Sequence, residues 1–224
     1  AMKIIFAFPG RSFSGTFLTT WSDTLLRLAR AGHEVHMSQH YSSFVAFSRM
    51  KTLGLDVRRG ADQKPFGGTI DYDVFITIDS DIVFIPEQIF DLLEDVQRVE
   101  TPVVSGVYMM EDREHYACVE KWDTEYFAEH GTFQFLKPSD VGNRKYLTCA
   151  YAGMGFFACR RGVIENLKYP YFHYPLQEVQ AKDGTLMRDM MSEDVAFCRN
   201  LYDAGYRVCV NTSLRVGHEK TLAI

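Results

Sequence analysis

Short apolar runs alternate with stripes of apolar positions three and four residues apart through the first half of the chain. The run KIIFAF (3–8) reads as a first strand, followed by the loop PGRSFSG. A helix is expected from about Thr16 to Ala31, with Leu18, Trp21, Leu25 and Leu28 on one face and Gly32 as its stop. EVHMS (34–38) reads as a second strand and SSFVAFSRMKTLG (42–54) as a short helix ending at Gly54. A loop-rich stretch leads to Val74–Ile78, a strand apolar on both faces. Pro86 then opens a helix carrying Ile89, Leu92, Leu93 and Val96, and PVVSGVY follows as another strand. The second half is less regular, with strand-like pieces near 115–121, 146–150, 155–159 and 207–211. Between them lie an aromatic loop over 169–191 and a helix from Glu193, stopped by Gly205.

A βαβαβ beginning of this kind predicts an α/β fold with an open, mostly parallel sheet flanked by helices. Ligands of such sheets bind beyond the carboxyl ends of the strands. Asp79 and Asp81 stand at that end of theirs. Two like charges after an apolar strand cost free energy unless a positive group lies beside them. Carboxylates at i and i+2 across a strand-to-loop transition can both turn toward a divalent cation, and hard oxygen ligands suit Mg²⁺ or Mn²⁺. The alternative is a turn with solvated carboxylates. No repeat, low-complexity stretch or linker interrupts residues 1–224, so one domain is expected.

Charge narrows the ligand classes. The chain carries 24 Lys+Arg against 29 Asp+Glu, a formal net charge of −5, which argues against nonspecific nucleic-acid binding. An anionic ligand must then be held locally, by a metal or a few placed cations. Five scattered cysteines without a CxxC pair read as free thiols of a reducing compartment. The first apolar run is cut by Pro9, too short for a signal peptide or a membrane span, and a cytoplasmic protein is expected.

DYDVFITIDSDIVFIPEQIFDLL (71–93) resembles the DxD segment of metal-dependent GT-A glycosyltransferases, where a strand ends in Asp-x-Asp and a Pro-led helix follows. YAGMGFFACRRGVIENL (151–167) is similar to their later strand with its small-residue loop, and SEDVAFCRNLYDAGYRVCVNTSLRVGHEK (192–220) to their acidic helix start, strand and metal-binding histidine. The three occur in the family's order, and the small form resembles soluble bacterial and viral members. The resemblance implies a Rossmann-like donor half over about 1–110 and an acceptor half over about 111–224.

It also implies a hexosyltransferase-type activity. A sugar would pass from a UDP-sugar to a hydroxyl of a glycan or glycoprotein acceptor, with Mn²⁺ or Mg²⁺, and with inversion slightly favoured. Asp81 would bind the metal directly, Asp79 beside it would contact the ribose or a metal-bound water, and His218, 137 residues on (218 − 81), would be a further ligand. Asp194, with Glu193 next in line, would deprotonate the acceptor. Pro9, Gly10, Arg11 and Ser80 would line the nucleotide, Gly10 by letting the backbone approach the base, and Arg49 would reach the donor diphosphate or sugar. Gly153 and Gly155 would leave room for the sugar ring, and Gly217 would permit a tight approach at His218. The bland readings are a structural histidine, helix-dipole complementation by the two acids capped by Ser192, and ordinary surface arginines.

The aromatic run Tyr169–Pro175 would serve as an acceptor platform or as simple packing, and the stretch to Met191 as a lid. Arg144, Lys145, Arg160 and Arg161 read as solvated. Two other functions compete. In a haloacid-dehalogenase-type phosphohydrolase, DSDIV would supply Asp79 as nucleophile and Asp81 as general acid, although that motif usually opens such chains. A non-catalytic sugar-nucleotide-binding protein would bind donor without turning it over.

Overall fold

Strands form where apolar residues alternate or run together, and the order of the elements decides what they enclose. The computed structural model describes residues 1–224. Its first half runs β1 (Lys3–Pro9), α1 (Gly15–Arg30), β2 (Glu34–His40), α2 (Val45–Thr52), β3 (Val74–Ile78), β4 (Ile82–Val83), α3 (Pro86–Val96) and β5 (Val103–Val107). The second half runs β6 (Cys118–Val119), α4 (Thr124–His130), α5 (Pro138–Val141), β7 (Tyr146–Cys149), β8 (Tyr151–Ala152), β9 (Phe156–Arg160), β10 (Leu176–Gln180), β11 (Leu186–Met190), α6 (Glu193–Asp203), β12 (Val208–Arg215) and β13 (Gly217–His218).

Seven strands make one sheet in the order β2–β1–β3–β9–β5–β12–β7. β2, β1, β3, β5 and β12 point one way, and β9 and β7 run against them. This is an open, mixed, mostly parallel α/β sheet. Its two faces are sorted by the period of two along each strand. Ile4, Phe6, Phe8, Ile76 and Ile78 pack with Trp21 of α1 and Leu92 of α3, while Ile5, Ala7 and Phe75 pack on the side of Ala46 of α2 and Phe197 of α6. No helix is long and apolar enough to cross a membrane.

Three expectations are corrected. The buried stripe of α1 is Phe17, Trp21, Thr24 and Leu28, whereas Leu18 is 63% exposed. Phe8 on β1 sets that rotation by meeting Phe17 and Trp21 at centroid distances of 5.5 and 4.8 Å. Thr24 is tolerated inside because its hydroxyl donates to Thr20 O at 2.7 Å. The segment 169–191 is not all loop: β10 and β11 form an antiparallel hairpin, with Leu176 opposite Met190. Arg160 is not simply solvated, since its guanidinium donates to Gln97, Arg98 and Val99 carbonyls, where α3 ends.

Candidate active site

The site begins where β3 stops. Asp79 N–H donates to Gly155 O at 2.9 Å and Ile82 N–H to Asp79 O at 3.1 Å, which fixes the Asp79-Ser80-Asp81 turn between β3 and β4. The chain continues into β4, whose partner is β13, with Ile82 opposite His218 and Val83 opposite Gly217. Glycine makes that pairing close: a Cβ at residue 217 would lie 3.0 Å from Val83 Cβ.

The pairing puts His218 Nε2 2.7 Å from Asp81 Oδ2. The hydrogen bond to Asp81 holds the imidazole above its ordinary value, with burial opposing. Burial pushes the Asp81 carboxyl upward, but His218 outweighs it and leaves the group below the usual carboxylate range. His218 Nδ1 is buried without a partner, and its ring meets Tyr108 edge-on at 5.4 Å.

A second cluster lies beside the first. Arg49, on α2, reaches Asp79 Oδ1 at 3.0 Å and donates from Nε to Glu193 Oε1 at 3.1 Å. Its side chain is 5% exposed. Burial alone would lower the guanidinium's proton affinity, and Asp79 and Glu193 reverse that. Burial pushes the Asp79 carboxyl up to about 6, with Arg49 pulling the other way. Arg49 Nη1 is buried without a partner. The positive group that Asp79 requires is therefore supplied within the chain by Arg49, while Asp81 is hydrogen-bonded to His218.

Of the two acids opening α6, Glu193 is the one turned inward. Asp194 accepts from Tyr151 Oη at 2.8 Å, from Val195 N at 2.9 Å and from Ser192 Oγ. Ser192 occupies the cap position, but its hydroxyl serves Asp194 rather than the helix amides.

Other expectations change. Asp79, Asp81 and His218 do not make one three-ligand metal cluster, because Asp79 is drawn to Arg49 while the other two pair. Asp81 and His218 remain a carboxylate–imidazole pair, with the Asp81 side chain 41% exposed, and that donor set fits Mn²⁺ or Mg²⁺ with ligand phosphates as further donors. Gly153 and Gly155 face Tyr108 instead of open space: a Cβ at Gly153 would lie 2.2 Å from Tyr108 Oη. Gly10, after the buried Pro9, gives room to Ser80, whose Oγ would be 2.6 Å from a Cβ there. Arg11 is exposed on the following loop. Of the aromatic run, Tyr171 and Phe172 are core, Phe172 stacking on Phe197 at 4.8 Å, and His173 and Tyr174 face outward.

Sequence reasoning missed Tyr108 and Tyr151. Tyr108 follows β5 at its carboxyl end, so the rule that singled out Asp79 would have found it. Tyr151 carried no such signal.

No family model matches the sequence, and no curated protein sequence matches it. Among solved structures the fold is similar to that of A197 from STIV, with a TM-score of 0.54, 20% identity, and 98% of this chain and 87% of that one covered. Looser likenesses include Drosophila β-1,4-galactosyltransferase 7 with manganese, UDP-Gal and xylobiose, at a TM-score of 0.49 and 13% identity over 99% of this chain and 72% of that one. Glucosyl-3-phosphoglycerate synthase from Mycobacterium tuberculosis with Mg²⁺ and UDP follows, at 0.48 and 11% over 99% and 73%.

Proposed function

We propose that the protein is a divalent-metal-dependent glycosyltransferase. It would move a sugar from a nucleotide-diphosphate sugar, of the UDP class, to a hydroxyl of a glycan or glycoprotein acceptor, with inversion. The observation that carries this reading is the meeting of Asp81 and His218, 137 residues apart in sequence (218 − 81), beside a buried arginine at the carboxyl end of β3. Asp81 and His218 would hold Mn²⁺ or Mg²⁺. Such an ion supplies positive charge where the diphosphate leaving group gains negative charge.

Arg49 offers its unpartnered Nη1 to the same anion, and guanidinium suits phosphate. Asp79 and Glu193 hold that guanidinium in place. Since Glu193 is committed to Arg49, Asp194 is the better base. A carboxylate has about four acceptor positions, and three are used by Tyr151, Ser192 and Val195 N–H. The remaining one would take the acceptor's hydroxyl proton as the oxygen attacks the anomeric carbon, a contribution of typically ~10²–10⁴-fold. The phosphohydrolase reading gains no observation, since its nucleophile would be tied to a buried guanidinium. Five free cysteines favour a cytoplasmic setting.

The test is thermal melting with UDP, GDP, CDP and ADP, each with Mn²⁺ and with EDTA. Ligand at ~100 times its dissociation constant stabilises by ~2.7 kcal/mol, or roughly 5–10 °C at this size. UDP should shift the transition only with metal; no shift for any nucleotide would sink the proposal. Asp194→Asn should keep the shift and stop transfer, and transfer at the unsubstituted rate would remove Asp194 as base.

A further inference from the structure

Past His218, away from the nucleotide half of the sheet, the carboxyl ends of β5 and β12 open on a cleft of about 610 Å³. Its walls carry Arg113, Arg215 and Lys220, and His218 stands at its edge. One acid lines it, Glu111, which is paired with Lys220 at 3.3 Å. Asp112 of the same loop is taken up by His115 at 2.6 Å. Arg113 and Arg215 have no carboxylate partner. Arg113 has a left-handed backbone, φ 59°, held by its N–H to Met110 O at 3.0 Å, and the Arg215 guanidinium lies 5.8 Å from the Tyr116 ring centre. In a chain of net charge −5, this is a local excess of positive charge over an apolar floor of Met109 and Val216.

We propose that this cleft is an anion subsite for the acceptor, taking a phosphate or carboxylate on the molecule that receives the sugar. The proposal rests on the transferase reading and names its substrate class: acidic acceptors. Two arginines suit bidentate binding of such groups, and the methionine and valine side chains would support a carbon skeleton. The nucleotide would occupy the carboxyl ends of β1 and β3, near Arg49, so the donor diphosphate has its own cation. A group in the cleft would instead approach the Asp81–His218 pair from the side of β5 and β12.

The experiment is calorimetric titration of inorganic phosphate, then glycerol 3-phosphate and glycerol, in metal-free buffer. It compares the unsubstituted protein with the Arg113→Gln/Arg215→Gln double variant. Arg113→Gly, which suits the left-handed backbone, is the second variant. UDP–Mn²⁺ melting shifts are measured on all three. The phosphates should bind and glycerol should not. The double variant should weaken phosphate binding roughly tenfold or more, with the nucleotide shift intact. Equal phosphate binding in both proteins would overturn the subsite. Loss of the UDP–Mn²⁺ shift in the variants would overturn its assignment to the acceptor, because the cleft would then serve the donor diphosphate. Absence of that shift in the unsubstituted protein would remove the transferase reading, and the acceptor with it, whatever phosphate does.

Discussion

Arg49 is the single charge on which two acidic segments depend. It lies between Asp79 after β3 and Glu193 at the start of α6, and all three side chains are largely out of water. Removing one partner of a buried ion pair leaves an uncompensated charge and costs ~3–5 kcal/mol, far more than a surface pair. Arg49→Met should therefore lower the melting temperature by roughly 6–20 °C; a loss within the error of the scan would mean that the hub is not structural. Asp79 adds a pH dependence. Its carboxyl titrates at about 6 in the fold against an ordinary 3.8, so the folded state binds that proton more tightly. The resulting stability is fully present below about pH 4 and is lost as pH rises through about 6. Relative to Asp79→Asn, the unsubstituted protein should lose on the order of 2–3 kcal/mol between pH 4 and 7. Parallel stability curves would show that Asp79 titrates as an ordinary carboxyl.

At the scale of elements, short pairings do the positioning. β4 and β13 have two residues each, yet their register decides that His218 meets Asp81. β9, from the second half of the chain, lies between β3 and β5 and brings Gly153 and Gly155 against Tyr108. That contact is close-packed, and overpacking a full site costs ~1–3 kcal/mol. Gly153→Ala should destabilise by about that much, and Tyr108→Phe in the same chain should recover part of it, because the hydroxyl is the nearest obstacle at 2.2 Å. Strictly additive losses in a double-mutant cycle would refute the contact. The β10–β11 hairpin lies where a loop was expected, although Asp183-Gly184 is a turn signal and Gly184 adopts φ 87°. The stripe of α1 was not legible, because two faces of that helix carry apolar residues and only Phe8 on β1 decides which one is buried.

The molecule as a whole is tied together on the flank opposite β2 by Asp95. This buried carboxylate of α3 accepts from Asn211 Nδ2 of β12 at 2.6 Å and Tyr146 Oη of β7 at 2.9 Å, and pairs with Arg98. Asp95→Ala should cost roughly 1–3 kcal/mol in urea unfolding, because it leaves the Asn211 amide and Tyr146 hydroxyl without their acceptor, and leave any metal-dependent nucleotide shift unchanged, since none of its partners lies in the site. A loss of nucleotide binding without a loss of stability would contradict that separation. The sequence by itself determined the alternation of strands and helices, the mostly parallel sheet, and the placement of Asp79 and Asp81 at a strand's carboxyl end. These follow from the period of apolar residues and from Pro and Gly, which act locally. Only the tertiary structure decided that Arg49 joins Asp79 to Glu193, that Glu193 rather than Asp194 turns inward, that Tyr108 fills the space before Gly153, and that His218 falls on Asp81. Those contacts join segments far apart in the chain. No periodicity within one segment can carry them, because each depends on strand order and register.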